Sequence, residues 1–153
     1  MKSYSPTLLT LLALAVPAAA AAPDAARLDH RAVLTLTPAE RGILLEEMHA
    51  FLAGVQKLTD ALGRQDYPAA AQAARVLGPG MAHAVPAAMR AKLPLEFRQL
   101  GASTHADFAQ IAMDAESLGD ASHSLGQLAS TLQKCVACHT TYQVRPAPVA
   151  GRR

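Results

Sequence analysis

Thr37-Pro38-Ala39-Glu40, continued by RGILLEEMHAFLAGVQKLTDAL through Leu62, decides the fold. Threonine at the N-cap, proline at the first helical position and glutamate two places later form a helix start signal of the capping-box kind. Beyond it Leu44, Met48, Phe51, Val55, Leu58 and Leu62 recur at steps of four and three. That spacing keeps them on one face and predicts one helix from about Pro38 to Leu62, with Gly63 as its stop.

Upstream, residues 23–36 read as an irregular lead-in. Met1 to Ala22 has a charged start at Lys2, an apolar stretch from Leu8 to Val16 and an alanine run with A-x-A sites. This predicts a secretory signal peptide cut after residue 20, 21 or 22, too short to span a bilayer. The expected location is the periplasm, with no stable membrane insertion after cleavage. Downstream, a second helix opens near Asp66 with Pro68 in its first turn and breaks at Gly78-Pro79-Gly80. Pro86 and Pro94 predict short helical pieces and turns over residues 81–101. Thr104, with Asp107 three residues on, signals a third helix carrying Phe108, Ile111, Ala115 and Leu118 on one face. After Gly119-Asp120, a fourth repeats the step of three and four through Leu125, Leu128, Leu132, Cys135, His139 and Tyr142. No strand of convincing length appears, and residues 146–153 read as a disordered tail. The expected fold is all-α, one domain over residues 37–145 arranged as an antiparallel four-helix bundle.

Cys135-Val136-Ala137-Cys138-His139 lies on that fourth helix and holds the only two cysteines. C-x-x-C-H is the attachment signature of a c-type haem. Two thiols on one turn can each add to a different vinyl group, and the adjacent imidazole reaches iron from the same side. A thioredoxin-like pair belongs beside a strand, a zinc site needs four ligands, and a disulfide here would constrain almost nothing. The expected cofactor is one haem c, covalent through Cys135 and Cys138, with His139 as proximal ligand. Because His139 continues the apolar stripe, the haem is expected inside the bundle, near the C-terminal helix. The formal charge of +2 falls by one when Lys2 leaves with the signal, which gives no pull toward nucleic acid.

The chain resembles cytochrome c′ and its low-spin, methionine-ligated relatives, the class II cytochromes c. The resemblance rests on C-x-x-C-H-x-x-Y, here Cys135 to Tyr142, placed near the end of an exported helical chain. Where that family has arginine or lysine after the tyrosine, this chain has Gln143, with Arg145 two places later. The resemblance implies a monohaem electron carrier or a five-coordinate haem that binds nitric oxide or carbon monoxide. It also implies a homodimer.

In the electron-carrier reading, Met48 closes the other side of the iron. It is the only methionine on the first helix, about 15 Å along the axis from Pro38, while His139 is about 9 Å from Arg145. Phe51 and Tyr142 are the aromatic residues expected against the porphyrin; Met48 as simple core filling stays open. Met81 and Met89 follow the second helix, and Met113 lies off its helix's apolar face. His49 is expected at the border of the seam, His83, His105 and His123 at solvated helix ends, and His30 in the lead-in. Glu46 and Glu47 read as a solvated face. With no acid–base constellation beside the haem, the chain reads as an electron carrier serving redox partner proteins and not as an independent enzyme. A haem subunit of an exported dehydrogenase is the further alternative.

Overall fold

The computed structural model describes residues 29–82 and 85–146. The readings of a signal peptide, of His83 and of a tail over residues 147–153 lie outside the described residues. Two compact units divide the chain, Met1–His30 and Arg31–Arg153, and every element below belongs to the second. In order these are β1 (Ala32–Leu36), α1 (Pro38–Gly63), α2 (Tyr67–Val76), α3 (Pro79–Ala82), α4 (Ala87–Arg90), α5 (Leu95–Leu118), α6 (Ala121–Thr141) and β2 (Tyr142–Pro146). The class is all-α, as expected, with α2 packed on α1 and α5 and with α6 on α5. Among the described residues no helix is long and apolar enough to cross a membrane.

Local chemistry sets the starts of α1 and α2. The Thr37 hydroxyl accepts from the Glu40 N–H at 3.3 Å, and the Glu40 carboxylate accepts from the Thr37 N–H at 2.9 Å. Asp66 caps α2 by accepting from the Ala69 N–H. Both occupy the orphan donors of a first turn, each cap contributing about 1 kcal/mol.

Three expectations are corrected. The first concerns the third helix, which begins at Leu95 and not at Thr104. The Thr104 hydroxyl donates back to the Leu100 carbonyl one turn earlier, so it acts inside a helix and caps nothing. The second concerns strands, of which the sequence shows none of convincing length: the lead-in pairs in parallel with the end of the predicted fourth helix, from Ala32↔Tyr142 to Leu36↔Pro146. Leu34 and Leu36 turn inward from β1 with the period of a strand, joining Leu44, Met89 and Leu93 in one buried cluster. The third concerns α6. Its buried side is Ser124, Leu128 and Thr131, whereas Leu125, Leu132 and His139 of the predicted stripe are exposed, so the stripe does not face the core. Polar ties rotate it: Thr131 donates to Asp107, Gln127 donates to Asp114, and Lys134 pairs with Asp107 at 2.6 Å.

Gly54 permits the close approach of α1 to α2. A Cβ there would lie 2.6 Å from the Leu77 side chain, inside contact distance. Gly54→Val is therefore expected to cost about 1–3 kcal/mol in urea unfolding, the usual penalty for overpacking. Gly54→Ala should lose less, because alanine's better helix propensity returns about 1 kcal/mol.

The apolar seam of α1 is buried at both ends but not in the middle. Leu58 and Leu62 join Phe108, Ile111, Ala112 and Leu128 in one cluster, while Leu44 joins the other. Met48, Phe51 and Val55 between them are only half-buried. They face a cavity.

Candidate functional site

The cavity measures about 430 Å3 and opens between α1 and α6. From α1 come Met48, His49, Phe51, Leu52 and Val55; from α5, Phe97, Leu100, Thr104, His105 and Phe108. The last three turns of α6 contribute Leu132, Cys135, Cys138 and His139. Its size falls in the range of about 300–1,000 Å3 typical of pockets that bury a small-molecule ligand, and its wall is mostly apolar.

Thus Cys135, Cys138, His139, Met48 and Phe51 are brought to one wall-lined space. Tyr142 is not. It opens β2, half-buried, with its ring edge-on to Phe97 at 5.3 Å and 84°. Gln143, the departure from the family pattern, donates to the Arg31 carbonyl at 2.9 Å and accepts from Arg145. Arg31 in turn donates to the His139 carbonyl at 3.2 Å, placing a cation at the negative end of α6. Met89 is buried in the strand-side cluster, Met81 packs on the other, and Met113 is exposed. The backbone of His123 donates to the Asp120 cap at the start of α6, and His30 is exposed.

Burial pushes the Cys135 thiol above its ordinary pKa, and burial followed by the charge of Cys135 raises Cys138. A redox dithiol needs the opposite, a thiolate favoured by nearby positive charge or a helix N-terminus. These two sit at a helix C-terminus, as protonated thiols.

The cofactor expectation, one haem c through Cys135 and Cys138, is corrected on the metal side. Among the described residues no group of three or more His, Cys, Asp or Glu side chains could hold a metal ion, and both thiols are free. The described residues build no metal centre of their own. His139 and Met48 are two donors, short of the four that an independent structural metal site takes.

His105 and Glu47 overturn their own expectations. Because α5 starts nine residues before Thr104, His105 falls mid-helix with its side chain 4% exposed, and that of Glu47 is 14% exposed. His105 Nδ1 lies 2.7 Å from the Leu77 carbonyl and Nε2 lies 3.2 Å from a Glu47 carboxylate oxygen. Both partners accept, so the imidazole satisfies them only with a proton on each nitrogen. Burial opposes that charge, but the Glu47 hydrogen bond, the Leu77 carbonyl and the Glu47 charge outweigh it, raising the pKa above the ordinary 6.5. The signal that would have placed His105 is Pro94, read as a turn where it opens a helix.

The pH dependence has a definite sign. With the folded pKa the higher one, protonated His105 stabilises the fold fully below about pH 6.5 and loses that contribution as pH rises through the raised value. Urea unfolding should show stability falling over that window, and His105→Gln should remove the fall.

Compared with protein-family profiles, curated proteins and solved structures, the chain matches none.

Proposed function

We propose that this chain is a periplasmic monohaem cytochrome of the c type that carries single electrons between redox partner proteins. One observation carries the reading: Cys135, Cys138 and His139 of C-x-x-C-H share an apolar cavity with Met48 from the opposite helix. In this reading α1, α2, α5 and α6 form an antiparallel four-helix bundle with the prosthetic group between α1 and α6. His139 and Met48 would hold the iron through nitrogen and sulfur, and Phe51, Val55 and Phe108 would exclude water from it. When bound, the haem supplies a reversible one-electron change, and His/Met ligation raises its potential. The raised thiol pKa values favour this reading over a dithiol exchange enzyme.

The test is the visible absorption of protein exported alongside haem-maturation machinery, in both oxidation states. A low-spin spectrum with a thioether-to-iron band supports the carrier. A high-spin spectrum with ready carbon monoxide uptake replaces it with a gas-binding protein. A colourless protein overturns both.

A further inference from the structure

His105 stands in the wall of the large cavity and also lines a smaller one of about 190 Å3. The electron-carrier reading gives it no part. Its contacts converge on a single turn of α1. Nε2 meets Glu47 at 3.2 Å, and the ring lies 5.0 Å from that of Phe51, tilted by 33°. Glu47 and Phe51 are four residues apart, so they sit one above the other on one helix face. Met48 belongs to the turn they bracket. Through Nδ1 the same imidazole is tied to the Leu77 carbonyl at the end of α2.

Packing holds this stretch of α1 less fully than the rest of the seam, because Met48, Phe51 and Val55 are only half-buried, each packed on a cluster on one side and meeting the cavity on the other. A slip of one residue turns a helix by about 100°, enough to carry Met48 out of the cavity wall. Such a slip would break the contacts to Glu47 and Phe51 together. We infer that His105 is a positioning residue, which holds Met48 in the large cavity by gripping α1 at Glu47 and Phe51. The electron-carrier reading explains why Met48 would need holding; the grip itself does not depend on it.

The experiment is methyl NMR of the full-length purified protein, following the Met48 methyl resonance and its cross-relaxation to cavity-lining protons. His105→Phe keeps a ring against Phe51 and removes both hydrogen bonds; Glu47→Leu removes one from the other side and decides alone if the first variant fails to fold. Both are expected to broaden or split the Met48 signal and to lose about half or more of its cavity contacts. The Met113 methyl, 56% exposed on α5, should stay unchanged as the internal control. A folded variant with lowered stability but intact Met48 contacts overturns the inference and leaves His105 a structural residue. If the wild type takes up no haem while the variants release Met48, the positioning role stands and the cytochrome reading falls.

Discussion

Phe108→Ala is expected to destabilise the protein by about 3–5 kcal/mol, read as a lowered urea midpoint with an unchanged slope. Phe108 is fully buried and belongs to the cluster that joins α1, α2, α5 and α6. Its ring lies 5.6 Å from Phe51 at the edge of the cavity. Truncation therefore removes buried apolar surface and enlarges a space the chain already leaves open. Since domains are stable by only about 5–15 kcal/mol, a loss of this size takes a large share of the total. Phe108→Leu, which refills most of the volume, should cost far less. A cost below about 1 kcal/mol for the alanine variant would show that the ring is not the keystone its burial indicates.

His139→Ala is expected to leave the purified protein with about a tenth or less of the wild-type visible absorption. In the proposed cytochrome His139 would hold the iron while Cys135 and Cys138 add to the vinyl groups, and losing a group that merely orients a metal ligand already costs about 10–100-fold in affinity at that stage. Met48→Leu should behave differently. The volume of the side chain is kept, so colour is retained, but the thioether-to-iron band disappears and carbon monoxide uptake appears. If Met48→Leu leaves the spectrum unchanged, another residue of the cavity wall, such as His49, holds the sixth position. Equal colour in wild type and His139→Ala would remove His139 from the site.

What the sequence disclosed and what it hid follow from the range of the interactions concerned. The ends of α1 were readable because Thr37, Pro38 and Glu40 act on one another within four residues. The start of α5 was hidden because Pro94 and Thr104 carry opposite local signals, while Phe97 in its first turn packs against Tyr142 and the strand-side cluster, far along the chain. Ala32–Leu36 alternates as a strand should, but its partner lies about 110 residues away, where no local pattern points to it. The cavity itself has no sequence signature. An apolar seam has the same spacing whether its residues meet side chains or open space, so Met48 and Leu58 look alike until the helices are placed. The motif on α6 was plain, while the rotation of that helix depended on Asp107 and Asp114 across the α5 interface.

The parallel pairing of β1 with β2 bears on the order in which the chain comes together. Its partners are nearly the first and last described residues, so closing this loop carries a high entropic cost and slow formation. The pairing cannot exist until Pro146 has been delivered, whereas the turns of α1 and α2 need only their own residues. Cys135, Cys138 and His139 lie a few residues before β2. In a chain that emerges N-terminus first, the thiols are thus delivered before the strand that latches α6 to the start of the fold. There is an interval in which the motif is out and the latch is still open.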